Sequence, residues 1–203
     1  MKDETGVLKF RCEWITADPP EITLVQELIE HRNKLFDARL IGSYPDGIGY
    51  GNISMRESGD CFIISGTATG VLEKVSNEHF TRVTAFSLDE NTVTAKGLIL
   101  ASSESMTHAC IYRCDPTVNA VIHVHHPLLW KELMNHVPAT SADIEYGTPA
   151  MGREIMRLFR ETEVASQKTI VMAGHEDGII TFGRTVQEAY ERIGSAFRKY
   201  GLG

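Results

Sequence analysis

The spacing of the hydrophobic residues alternates along the chain between a helical repeat and the short apolar runs of strands, and each change marks the boundary of a predicted element. Residues 21–40 carry apolar side chains at close to a helical repeat, which predicts a helix. Short β-branched runs at 49–56 and 61–65 and a longer one at 82–97 are typical of strands. Asp89, Glu90 and Asn91 interrupt the longest run and indicate the tip of a hairpin. The first half therefore predicts one helix followed by hairpin-paired strands.

The second half alternates helical and extended patterns. The predicted helices lie at about 104–114, 128–135, 149–161 and 186–200, and the predicted strands at 120–126, 168–174 and 178–183. Ser102 or Ser103 can cap the helix that starts near Glu104. Interleaved helices and hairpins indicate the mixed α/β class. Without repeats or linkers, residues 1–203 form one predicted domain, with 1–20 as a peripheral N-terminal segment.

Three histidines interrupt the buried run AVIHVHHP. Because a strand alternates its faces, His123 and His125 point the same way, about 7 Å apart, and His126 points the other way. The pair can be core histidines bonded to backbone carbonyls, or two ligands of a metal. The stretch alone leaves both interpretations open.

The amino-acid composition limits the kinds of molecule that this protein is expected to bind and the compartment in which it is expected to work. The formal charge of −7 argues against nucleic acid or an anionic membrane as the main partner. No apolar run approaches the length of a membrane span, and the N-terminal sequence lacks the features of a signal peptide, so we expect a cytoplasmic protein. Four irregularly spaced cysteines are expected to be reduced thiols.

Four further short motifs carry candidate chemistry. His175 follows a predicted strand and could join His123 and His125 as the third ligand of a catalytic zinc. The stretch ASSES places two hydroxyls and a carboxylate at a helix start, where anions bind readily. GYGNIS and ISGTATG are small-residue turns suited to close approach of a ligand by backbone N–H groups. Each motif alone is also compatible with an ordinary turn or cap.

The order of these motifs resembles the class II aldolase/adducin family over about residues 20–200. GNISMR, IISGTATG, SSESMTH, AVIHVHHP and a later Gly-His followed by GIITFG occur in succession. The resemblance implies an α/β/α architecture around a central, largely antiparallel mixed sheet, and a homotetramer with sites between subunits. It also implies site residues: His123, His125 and His175 as zinc ligands, Glu104 as the catalytic acid/base, and Asn52, Thr67, Ser102 and Ser103 around a substrate phosphate.

The implied activity is that of a zinc-dependent aldolase acting on a small ketose or sugar phosphate. Zinc would polarise the carbonyl and stabilise an enediolate, and Glu104 would move the proton. No organic cofactor is needed. Epimerase or dehydratase chemistry shares this intermediate, and a non-catalytic adducin-like assembly module is the alternative of a different class. Retention of three histidines and Glu104 favours the enzyme.

Three departures from the family pattern affect the site. Glu176 and Asp177 separate His175 from Gly178, which makes Asp177 an alternative third ligand. Ala68 stands where glycine is common in the phosphate turn, and a positive φ there would be strained. The segment after His125 is also shorter than in a sugar-phosphate aldolase of the family and lacks its aromatic proton donor. Tyr146 or Tyr200 of a neighbouring subunit is the candidate substitute.

Overall fold

The computed structural model describes residues 8–202. The strands are β1 (Arg11–Thr16), β2 (Gly42–Ser43), β3 (Gly49–Tyr50), β4 (Asn52–Ser58), β5 (Cys61–Ser65), β6 (Phe80–Ser87), β7 (Thr92–Gly97), β8 (Ala120–His125), β9 (Thr169–Val171) and β10 (Gly178–Gly183). The helices are α1 (Ile22–Asp37), α2 (Ser105–Cys114), α3 (Pro127–Leu133), α4 (Pro149–Glu161), α5 (Val164–Gln167) and α6 (Val186–Lys199). Each element predicted from the sequence periods is present, with ends that differ by a few residues.

An eight-stranded sheet forms the centre of the molecule, in the order β1-β7-β6-β5-β4-β8-β10-β9. Every neighbouring pair is antiparallel except β1 and β7, which are parallel. The hairpin interpretation of residues 82–97 is confirmed: β6 pairs with β7, and Asn91 at the turn has φ +52°. Short β2 and β3 form a separate hairpin before β4.

Helices cover both faces of the sheet, as the alternating side chains of its strands require. Phe62 and Ile64 pack in one core with Met106 of α2 and Ile155 of α4. Ile63, between them in sequence, packs in the other core with residues of α1, α3 and α6. The predicted three-layer α/β/α architecture with a largely antiparallel sheet is therefore confirmed. Within the described residues, no helix combines the length and apolar character needed to span a membrane.

The N-terminal part of the chain contributes an edge strand that the sequence patterns did not predict. Strand β1 pairs in parallel with β7, and most of its side chains are exposed. Phe10, just before it, is buried in the core that also holds α2 and α4. The segment predicted as peripheral thus lies at the sheet edge and places Lys9 on the face that carries the histidines.

Candidate metal centre and adjoining carboxylate

Three imidazoles meet at one end of the sheet. His123 and His125 project from the same face of β8, and His175 comes from the turn between β9 and β10. Their candidate ligand atoms all lie within 4.8 Å of one another. Gly178 permits this approach, because a Cβ there would lie 3.0 Å from His175 Cδ2 and 3.1 Å from His123 Cε1. A side chain at that position would push the two rings apart.

The imidazoles are neutral, which is the form that binds metals. Burial lowers the pKa of His125 to about 2 and that of His175 to about 3, and it lowers the pKa of His123 well below its usual value. His123 Nδ1 must donate to the carbonyl oxygen of Ile179, at 3.3 Å, so its Nε2 carries a lone pair. That atom lies 3.0 Å from His125 Nε2.

Such a pair of nitrogens is suited to sharing either a proton or a metal ion. Two nitrogens bound to tetrahedral zinc at 2.0–2.1 Å are about 3.3 Å apart, close to the spacing found here. The stacked ring of His175, with its centroid 5.3 Å from that of His123, supplies the third nitrogen. Three neutral nitrogens fit a divalent metal with one open coordination position. Asp177, the alternative ligand, is not part of a possible ligand cluster among residues 8–202.

Glu104 is a buried acid on the face of the sheet that carries this centre. It is the N-cap residue of α2, and its side chain is only 2% exposed. Neither carboxylate oxygen has a hydrogen-bond partner within the described part of the chain. Burial raises the pKa of Glu104 to about 7, against the opposing effects of the nearby Thr107 hydroxyl and of the charge of Lys9. The Thr107 hydroxyl makes no hydrogen bond of ordinary geometry in the described residues either, so it lies near the carboxyl group without satisfying it. A carboxyl group with this pKa can both accept and donate a proton near neutral pH.

Each residue assigned to a substrate phosphate lies near either His123 or the start of α2. Asn52 of β4 pairs in register with His123, and its buried Oδ1 has no partner among residues 8–202. The Thr67 N–H donates to the carbonyl of Leu100 at 2.9 Å, which brings the ISGTATG turn to the start of α2. Ser102, which is buried, and Ser103, which is half-buried, directly precede Glu104.

Two local details at these turns follow from the structure. Ala68 adopts the left-handed conformation, with φ +57°, so the chain takes here the backbone conformation that is strained for alanine. The Ser102 hydroxyl oxygen accepts from the Glu104 N–H at 3.3 Å. Of the two predicted capping residues, Ser102 is the one that bonds the chain entering α2, and Glu104 itself occupies the N-cap position.

Of the two candidate tyrosines, Tyr146 lies at the centre. Its ring stacks on His175 with centroids 4.0 Å apart. Lys9 Nζ lies 3.4 Å from the Tyr146 centroid and forms an ion pair with Glu145 at 2.7 Å. Tyr200 instead packs with the core on the other face of the sheet, against His136. Of these two candidates, Tyr146 is the one that contacts the three-histidine cluster within the described residues.

The sequence patterns did not predict several contacts around the histidine cluster and α2. The Tyr44 hydroxyl lies 2.8 Å from His125 Nδ1, although 81 residues separate the two in sequence. The Ser54 hydroxyl of β4 forms hydrogen bonds with two side chains of α2, His108 Nδ1 and the Tyr112 hydroxyl, each at 2.7 Å, in a fully buried network. No local signal marks Tyr44, whereas His108 lies one helical turn after Glu104 and could have been noted. His126, predicted to face away, caps α3 by accepting from the Leu129 N–H at 3.1 Å.

Comparisons with known proteins agree with this arrangement. The family model for the class II aldolase and adducin N-terminal domain matches residues 45–196. L-fuculose 1-phosphate aldolase superposes with a TM-score of 0.67 at 18% identity, covering 91% of this chain and 87% of that one. The L-fuculose-1-phosphate aldolase from Thermus thermophilus gives 0.62 at 19% identity, with coverages of 89% and 93%. YgbL from Escherichia coli, described as a putative aldolase/epimerase/decarboxylase, gives 0.65 at 15% identity, with coverages of 89% and 90%.

At these identities the structural similarities establish the fold, and the family model establishes the family. No significant match is found among curated protein sequences. The chain belongs to the class II aldolase and adducin family, a superfamily that is generally enzymatic.

Proposed function

We propose that this protein is a zinc-dependent aldehyde-lyase that cleaves a carbon–carbon bond in a small ketose or sugar phosphate. The observation that carries the proposal is Glu104, a buried carboxyl group whose oxygens accept no hydrogen bond in the described part of the chain, on the same face of the sheet as three neutral imidazoles. Leaving a buried polar group unpaired is unfavourable by about 1–3 kcal/mol or more. A purely structural module gains nothing from that arrangement, whereas a catalytic base requires an accessible lone pair.

Separate residues of the chain would bind the metal, transfer the proton and position a ligand. His123, His125 and His175 would hold the metal, which when bound supplies a Lewis acid that polarises the substrate carbonyl. Glu104, as the carboxylate, takes a proton from the substrate and later returns it. Its pKa of about 7 keeps both forms populated near neutral pH. Tyr146 holds the ring of His175 in place by stacking on it.

A phosphate group would bind at the start of α2. The ten-residue helix directs its first N–H groups and the positive end of its dipole toward this point. Ser102 and Ser103 precede this helix, the turn that holds Thr67 bonds Leu100 just before it, and Asn52 lies beside His123 on the neighbouring strand. Fixing a remote phosphate would use binding energy to orient the reacting carbons. No organic cofactor is needed for this chemistry.

Sites between the subunits of a homotetramer are part of the proposal. Two apolar side chains are exposed on this part of the molecule: Ile48, in the β2–β3 hairpin that carries Tyr44, and Val71, in the turn that packs against that hairpin. A neighbouring subunit can cover such surface and contribute further substrate contacts. Epimerase or dehydratase activity would use the same base, so product analysis must accompany the assay.

Glu104→Gln tests the proposal, because the amide preserves shape but cannot accept the proton. We expect zinc binding to persist while deuterium exchange from solvent into dihydroxyacetone phosphate falls at least about a hundredfold. Glu154→Gln is the matched control, since Glu154 is also buried but already bonds Arg157 and the Ser141 N–H. Near-parental exchange by Glu104→Gln would refute the assignment. In the parent, aldehyde release from a ketose-phosphate panel distinguishes a lyase from an epimerase.

A further inference from the structure

The β2–β3 hairpin holds Tyr44 rigidly against the metal centre. The Tyr44 N–H donates to Ile48 O, and the Gly47 N–H donates to Tyr44 O, each at 2.9 Å. Gly47 has φ +86°, which glycine adopts without strain. The His125 N–H donates to Leu40 O at 3.0 Å, so the chain leading into the hairpin is bonded to the strand that carries the imidazole.

Within this frame, Tyr44 reaches the outer nitrogen of His125. Its hydroxyl lies 2.8 Å from Nδ1, while Nε2 of the same ring faces His123. Tyr50, the other aromatic residue of the hairpin, packs its ring 5.2 Å from His125. Its hydroxyl, however, donates to Arg39 O at 3.4 Å and does not bond the imidazole. The two tyrosines therefore share the packing role, and only Tyr44 has the polar one.

The direction of the Tyr44–His125 hydrogen bond differs between the metal-free and metal-bound forms. Because His123 Nε2 is an acceptor, His125 Nε2 can donate to it only when its proton is on Nε2, and Nδ1 then accepts from Tyr44. A metal-binding His125 Nε2 needs a lone pair, so the single ring proton must sit on Nδ1. A phenol hydroxyl can donate in the first case and accept in the second.

We infer that Tyr44 is a positioning residue of the metal centre whose hydroxyl reverses its hydrogen bond with His125 when metal binds. This inference rests on the proposed metal site. The proton on Nε2 passes to solvent and Nδ1 gains one from solvent, so the imidazole and the phenol both stay neutral. His123 needs no such partner, because the Ile179 carbonyl holds its Nδ1 proton throughout. Outer partners of this kind orient metal-binding imidazoles.

Comparison of Tyr44→Phe with Tyr50→Phe tests the inference by zinc affinity, measured in competition with a chromogenic chelator. We expect zinc to bind Tyr44→Phe about 10–100-fold more weakly than the parent, as for other outer partners of metal-binding histidines. Tyr50→Phe should bind zinc like the parent. Melting temperatures of the metal-free variants check that both fold. Parental affinity in a folded Tyr44→Phe would overturn the inference.

The ring proton gives a second readout that needs no activity. Long-range ¹H–¹⁵N spectra of histidine-labelled protein should place the His125 proton on Nε2 in the metal-free parent and on Nδ1 with zinc. A proton on Nδ1 in both states would overturn the reversal. If His123→Ala bound zinc as well as the parent, the proposed metal site would fail. The metal-free spectrum would still decide the direction of the Tyr44 bond.

Discussion

Glu104→Gln should make the metal-free protein more stable at alkaline pH, an effect opposite to its effect on activity. Burial raises the pKa of Glu104 from 4.5 to about 7. The unfolded chain releases this proton near pH 4.5, whereas the folded chain keeps it until about pH 7. Between those values the unfolded state binds fewer protons, so stability falls as pH rises. Glutamine is neutral throughout and removes this loss.

The pKa change sets the magnitude. At 1.36 kcal/mol per pKa unit, the shift corresponds to about 3 kcal/mol. The stability advantage of Glu104→Gln over the parent should therefore grow by about 3 kcal/mol between pH 4.5 and pH 8. Any constant effect of burying an amide cancels from this change. This loss of folding stability comes from ionising the buried Glu104 carboxyl group, and the proposed mechanism requires that ionised form.

Urea unfolding of the chelator-treated parent and variant, repeated across this pH range, measures the difference directly. The buried histidines are common to both proteins, so their contributions cancel. Glu154→Gln is again the control, because hydrogen bonding to Arg157 lowers the pKa of Glu154, the opposite direction to the shift of Glu104. A difference between Glu104→Gln and the parent that did not change with pH would refute the raised pKa.

Two further perturbations test the anion site and the phosphate turn. Replacing Ser102 and Ser103 together with alanine should raise KM for a phosphorylated substrate more than for its unphosphorylated counterpart, because hydroxyl donors at the start of α2 are lost. Equal changes in KM would place the phosphate elsewhere. Ala68→Gly should stabilise the protein by about 0.5–1 kcal/mol, since Ala68 is exposed and held at φ +57°. Chemical unfolding checks this, and a less stable variant would contradict the strain.

Local sequence patterns were sufficient to predict most helices and strands and to identify the three histidines that meet at the candidate metal centre. The β8 run predicted which histidines share a face because strand alternation is a property of the backbone, and His126 accordingly points away to cap α3. At Ala68 the sequence indicated only that a positive φ would be strained, and the structure shows that the turn adopts it, at φ +57°. The sequence assigned His175 as the third ligand and left Asp177 as the alternative, and the turn before β10 brings the His175 ring next to the other two imidazoles.

Contacts that depend on distant packing could not be read from the sequence. Strand β1 is mostly exposed and therefore lacks the alternation that reveals a half-buried strand. Its parallel pairing with β7 brings Lys9 over Tyr146, a contact between residues far apart in the chain. Tyr44 likewise lies in a turn without a recognisable motif, and only the hairpin's attachment beside β8 directs its hydroxyl to His125.

The zinc content of His175→Ala, compared with that of Asp177→Ala and the parent after equal loading and dialysis, tests the central claim most directly. Plasma mass spectrometry should find about one zinc per chain in the parent and in Asp177→Ala, because the three imidazole nitrogens meet without the carboxylate. In His175→Ala the zinc content should fall close to zero. Zinc retained by His175→Ala and lost from Asp177→Ala would contradict the three-histidine centre.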